Sequence, residues 1–102
     1  MAVRDAAGRE IRVGDRVRVI REFCGQSLPL RCGTIRQCSG VNLSTDYGWD
    51  IGVEFDEYMR GHDLDGACAY GYGRWGYARE VEIIDEPAHD IEIKFQFDDI
   101  FG

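Results

Sequence analysis

Hydrophobic and polar positions alternate with a period of two in several short stretches of this 102-residue chain, and no stretch keeps a helical period beyond one turn. The clearest alternation is Trp49 to Phe55, with Trp49, Ile51, Val53 and Phe55 on one side and Asp50, Gly52 and Glu54 on the other. Successive side chains of a strand point to opposite faces, so this stretch predicts a strand with its apolar face in a core. Val13 to Phe23 predicts an earlier strand, opened by a Gly14-Asp15 turn, in which Val17 and Val19 alternate with Arg16 and Arg18. Gly33 to Cys38 predicts another, and Arg74 to Ala78 with Glu80 to Ile84 predicts two more, or one strand with a helical-turn link. Val17, Val19, Ile35, Ile51, Val53, Phe55, Val81 and Ile83 are the expected inward residues.

Between these strands Cys24 to Cys32, Gly40 to Gly48 and Asp56 to Gly73 show neither period and read as connections. The last, at 18 residues, is longer than structureless loops usually are in compact domains, and such loops often carry function. After Pro87 the alternation returns: Ile91, Ile93, Phe95 and Phe97 interleave with Glu92, Lys94 and Gln96 and predict a further strand. The expected organisation is one all-β domain, with residues 1–87 as its main unit and 88–102 as a C-terminal strand extension.

Composition supports one self-sufficient core, since 44% hydrophobic and 30% charged residues is an ordinary globular balance. Thirteen glycines against two prolines suit short strands and tight turns. Charge adds an asymmetry. Through Gly40 eight arginines face four acids, and from Val41 four basic residues face fifteen acids, giving +4 and −11 for a total of −7. That balance repels a phosphate backbone unless the N-terminal arginines gather on one face, so nucleic acid is a disfavoured partner. The near-exclusive use of arginine over lysine fits the codon bias of a GC-rich bacterial or phage genome.

Cysteines at 24, 32, 38 and 68 form no C-x-x-C pair, which argues against structural zinc. Met1 to Arg12 is charged throughout and lacks the apolar stretch of an export signal, so reduced thiols and a cytoplasmic location are expected. No apolar run approaches membrane-spanning length.

From Gly14 to Ile84 the chain reads G-D-R-V-R-V, then G-T-I, then W-D-I-G-V-E-F-D-E, then a glycine-rich loop with R-W-G-Y-A, and finally V-E-I-I. This order resembles the SH3-like β-barrel family in its KOW and CAP-Gly versions over about 70% of the chain. The resemblance implies a small five-stranded barrel that works by binding. It is nearest CAP-Gly at Trp49 to Glu57. The Gly-Lys-Asn-Asp-Gly loop with which CAP-Gly domains grip an acidic peptide end is replaced here by Arg60 to Gly66, where only Gly61, Asp63 and Gly66 align. The chain looks more like small bacterial and phage proteins that share a G-H-D-x-x-G loop followed by a G-x-G-x-W segment. That likeness implies a fold and the place of a site, without an activity.

The candidate site lies in this loop. Tyr58, His62, Tyr70, Tyr72, Trp75 and Tyr77 fall within twenty residues and are interleaved with glycines. Such rings bury large areas at low entropic cost, which suits a groove for a protein or peptide; the alternative is that some of them simply cap the end of the barrel. Asp63 and Asp65 beside His62 are counted with the partner-binding residues; a histidine with two nearby carboxylates also suits a divalent ion or a proton relay, while capping of turns by the two side chains is the more ordinary role. No nucleophile–base–orienter set, phosphate-binding glycine loop or paired-carboxylate spacing stands out, so a non-enzymatic binding module is expected.

Two other readings use the charge. Arg12, Arg16, Arg18, Arg21 and Arg36 would form the RNA-binding face of a KOW-like barrel, or the acidic half would imitate nucleic acid and fill a basic groove of a host defence protein, as anti-CRISPR-like phage inhibitors do. The C-terminal alternation, closing with Phe101, needs a cover for its apolar side. Its own sheet edge, a partner or a second copy would each supply one.

Overall fold

The computed structural model describes residues 2–39 and 48–84, and they form an all-β fold. Its strands are β1 (Arg16–Val19), β2 (Glu22–Phe23), β3 (Gln26–Ser27), β4 (Cys32–Cys38), β5 (Ile51–Phe55), β6 (Gly73–Gly76) and β7 (Val81–Ile83), with 3-10 turns at Leu64–Gly66 and Ala78–Glu80. Five of them make one antiparallel sheet in the order β6-β5-β4-β1-β7, and β2 and β3 pair separately. In the register Val17 lies opposite Gly33 and Ile83, Val19 opposite Val81, and Ile35 opposite Val53. The period of two therefore sends one set of side chains inward. Of the eight residues expected there, all are buried except Ile83, which packs on the core half-covered. Each full burial of this kind contributes roughly 1.5–3 kcal/mol.

The strand expected from Val13 to Phe23 breaks after Val19, leaving Ile20 46% exposed. The chain then turns back as the β2–β3 hairpin, whose tip residues Cys24 (φ 50°) and Gly25 (φ 84°) both take the left-handed conformation that a two-residue hairpin turn requires. This detour brings Phe23 into the core, edge-on to Phe55 with ring centroids 5.7 Å apart. Its ring rests on Gly76, where a β-carbon would lie 2.5 Å from it.

The five-stranded sheet ends at β6 and β7, and no ladder joins these two among the described residues. The five strands expected as a barrel thus form a five-stranded sheet that no ladder closes among the described residues. The physical reason is that both outer edges have other neighbours. Along β7 the Ala6 N–H donates to the Val81 carbonyl (2.9 Å) and the Ile83 N–H to the Asp5 carboxylate (2.8 Å). Along β6 the backbone of Gly73 exchanges two hydrogen bonds with His62, at 2.8 and 2.9 Å. Asp5 is 5% exposed and also accepts the N–H groups of Ala7 and Arg9. Burial opposes its ionisation, but the N–H groups of Ile83, Arg9 and Ala7 and the Arg9 charge outweigh that and hold its carboxyl below the ordinary range. Ile11, from the same N-terminal segment, adds to the core.

β4 carries a β-bulge: Ile35 faces Val53, but Gln37 faces Gly52, so Arg36 is an extra residue on this strand. The alternation resets there, which is how Gln37 and Cys38 are both buried although adjacent. Cys38 joins the main core, whereas Gln37 lies against Gly52 and Trp75 on the opposite face of the sheet. The segment from residue 85 to 102 lies outside the described residues, and with it the expected C-terminal strand and its Ile91, Ile93, Phe95, Phe97 and Phe101.

Candidate functional site

The connection between β5 and β6 folds back over the outer face of the sheet and forms a small second layer there. Three backbone bonds hold it in place next to the His62–Gly73 pair: Met59 and Gly61 donate to the Gly71 carbonyl at 2.8 and 3.0 Å, and Gly71 donates to His62 at 3.2 Å. Leu64 is the anchor of this layer. It is fully buried outside the main core cluster, and its side chain sits on Gly73, where a β-carbon would come within 2.6 Å of it. Only a residue without a side chain allows this approach.

Leu64 and Asp65 hold φ of 54° and 58°, followed by Gly66 at 97°. Two side-chain-bearing residues in left-handed backbone cost about 1–2 kcal/mol each, so the turn exists only because its surroundings fix it. The Leu64 carbonyl accepts from Gln37 Nε2 at 2.9 Å, and the Leu64 N–H donates to His62 Nδ1 at 3.1 Å. Asp63 supports the turn through its carbonyl, which accepts from Gly66 and Cys68, both at 3.0 Å. The expectation that Asp63 caps by its side chain is corrected, since its carboxylate makes no capping bond. Asp65 is exposed at the crest of the turn.

Gln37 ties this layer to the rings. Its Oε1 accepts the Trp75 indole N–H at 2.5 Å, so one buried amide holds both the turn and the tryptophan. Trp75 meets two rings: Trp49 stacks on it at 5.3 Å and 17°, and the His62 ring lies 4.2 Å from it, tilted by 37°. Trp49, expected in the core beside Ile51, is instead half-buried on this stack because β5 begins only at Ile51. The other rings part company. Tyr58 and Tyr72 meet edge-on at 5.9 Å, Tyr70 is 73% exposed, and Tyr77 lies under the Arg79 guanidinium. The predicted residues therefore make two neighbouring patches, His62-Trp75 with Trp49, and Tyr58-Tyr72. Tyr72 also lines a cleft of about 330 Å³ whose walls include Arg16, Arg36, Glu54 and Asp56.

Burial, followed by the nearby Arg74 charge, pushes the His62 imidazole below its ordinary value, against the opposing pull of Asp63 and Asp65. Arg74 reaches from β6 to the Met59 carbonyl at 2.7 Å, and its Nε is buried without a hydrogen-bond partner among the described residues. Burial and the Glu54 and Asp63 charges push the Cys68 thiol up, so it stays protonated and uncharged near neutral pH. None of the four cysteines forms a disulfide, and among the described residues no group of three or more His, Cys, Asp or Glu gathers in metal-holding range. No helix among these residues is long and apolar enough to cross a membrane.

Four ion pairs among the described residues link the basic and acidic halves of the sequence across the fold. Arg16 grips Asp56 with two bonds of 2.7 and 2.6 Å, Arg18 binds Glu82 at 2.5 Å, Arg36 binds Glu54 at 2.7 Å, and Arg31 pairs with Glu57. Each joins an N-terminal arginine to a carboxylate of the acidic half. Such partly exposed pairs contribute about 0–1 kcal/mol each, and their larger effect is to occupy the charges. Asp63 and Asp65, by contrast, form no side-chain hydrogen bond or ion pair among the described residues.

Gln37, Trp49 and Arg74 are site residues that the sequence did not single out. The available signal was the consecutive Gln37-Cys38, where a strict period of two fails and a bulge is the simplest repair. Set beside known protein families, curated protein sequences and solved structures, the chain finds no match.

Proposed function

We propose that this chain is a non-enzymatic module that binds a protein or peptide on the ring surface of the 58–75 region, on an SH3-like barrel scaffold. The fold part of the reading draws on the strand order, in which β1 lies between β4 and the last strand β7, and on the tight 3-10 turn that leads into β7. The observation that carries the function is the Trp49-Trp75-His62 stack, half-buried and held through the Trp75 indole by Gln37. Rings already fixed in place lose little entropy when a partner covers them. Tyr58 and Tyr70, 57% and 73% exposed, lie apart from this stack and offer further ring surface in the same loop. Asp63 and Asp65 at its rim favour a basic partner.

The paired arginines favour protein over RNA, because Arg16, Arg18 and Arg36 already hold carboxylates that a phosphate would have to displace. The same pairs occupy Glu54, Asp56 and Glu82, which weakens the reading in which the acidic half imitates nucleic acid. Affinity capture with wild type and Trp75→Ala tests the proposal. A protein retained by the wild type and lost with Trp75→Ala is expected; retention of RNA or DNA alone would replace this reading with the KOW-like one.

A further inference from the structure

The strained turn at Leu64–Gly66 is held by the buried Leu64 side chain, by Gln37 Nε2 on the Leu64 carbonyl, and by His62 Nδ1 on the Leu64 N–H. The third contact depends on protonation. Nδ1 accepts a hydrogen bond only while it keeps its lone pair, and a charged imidazole presents N–H at both nitrogens. Protonated His62 would then point a donor at a donor, leave the Leu64 N–H without its acceptor, and place a second positive charge beside Arg74.

We propose that His62 is a proton-operated latch: neutral, it locks the 62–66 turn over Gln37 and Gly73, and charged, it releases the turn and alters the Trp75 surface. The consequence for a partner rests on the binding reading above, but the latch itself does not. The groups around His62 set its direction. Arg74 on β6 opposes the charged ring, Asp63 and Asp65 on the turn favour it, and the Trp75 face is uncharged. The Cys68 thiol, 3.9 Å from the His62 carbonyl, keeps its proton over the same range. Burial and Arg74 prevail, so the folded loop prefers the neutral ring. A group whose folded pKa is depressed in this sense, and whose charged form is the protonated one, stabilises the locked loop above 6.5 and loses that contribution as pH falls below it.

The test is nuclear magnetic resonance on the full chain from about pH 7.5 to about pH 5, following the His62 ring and the exchange protection of the Leu64 amide. The ring is expected to titrate below 6.5, with Leu64 protection falling about tenfold along the same curve, the scale of one lost hydrogen bond. His62→Asn offers a side-chain oxygen to the N–H two residues on and cannot titrate in this range, so its profile should be flat. His62→Phe keeps a ring for Trp75 without an acceptor and should be released at every pH. Leu64 protection that stays constant while His62 titrates would overturn the latch, and so would wild-type pH dependence in His62→Asn. If either variant fails to fold, the wild-type titration alone decides. A latch that moves in a chain that captures no protein at either pH sinks the binding reading and leaves the latch standing.

Discussion

Replacing Gln37 with leucine removes a buried amide that joins the outer layer to the sheet, while nearly keeping its volume. Gln37 is 7% exposed, donates to the Leu64 carbonyl at 2.9 Å and accepts from the Trp75 indole at 2.5 Å. The substitution deletes both bonds, leaving the Leu64 carbonyl with only the Ala67 N–H at 3.3 Å and the partly buried indole N–H without a partner. An orphaned buried polar group costs about 1–3 kcal/mol, and this is the net loss expected. For a domain of this size that is a fall in Tm of roughly 5–20 °C. Thermal unfolding followed by tryptophan fluorescence reads the loss, and the indole N–H resonance of Trp75 reports whether the stack has moved. Gln37→Glu sharpens the test. Its ionised carboxylate still accepts from Trp75 but cannot donate to Leu64, so it should destabilise most at neutral pH and recover as acid restores a donor. If Gln37→Leu unfolds within about 0.5 kcal/mol of the wild type with its indole signal unshifted, the amide does not hold the site.

Asp5→Asn should lower stability by about 1–3 kcal/mol, because an amide nitrogen would face one of the three N–H groups that the carboxylate accepts. The wild-type contribution is fully present above the ordinary value of 3.8 and is lost as pH falls through the lower native one, so acid unfolding curves of the two proteins should converge at low pH; parallel curves would refute it. Gly52→Ala should cost about 1–3 kcal/mol and shift tryptophan emission, since its β-carbon would lie 2.5 Å from Gln37 Oε1 and 3.2 Å from Trp75. Phe23→Ala should cost about 3–5 kcal/mol in denaturant unfolding if the β2–β3 hairpin is part of the core, and under 1 kcal/mol if it is an appendage.

The period of two in R-V-R-V and in I-G-V-E-F was enough to place Val17, Val19, Ile51, Val53 and Phe55 on one face, because that alternation is a local property of an extended backbone. The long loop before β6 was legible as a candidate site for the same local reason: it has glycines and rings but no period. What the sequence could not supply was partnership. Asp5 and Gln37 are ordinary polar residues in the one-dimensional chain, and each became structural only when tertiary packing enclosed it among backbone groups that need partners. The six rings looked like one groove because they are close in sequence. The turn at Leu64–Gly66 directs His62 to Trp75, whereas Tyr58 folds back towards Tyr72, a division made by backbone conformation that residue spacing does not encode. The charges show the same limit. Counting them along the chain gave +4 and −11, but antiparallel pairing set Arg16, Arg18 and Arg36 against Asp56, Glu82 and Glu54, because Coulomb attraction depends on distance in space rather than in sequence.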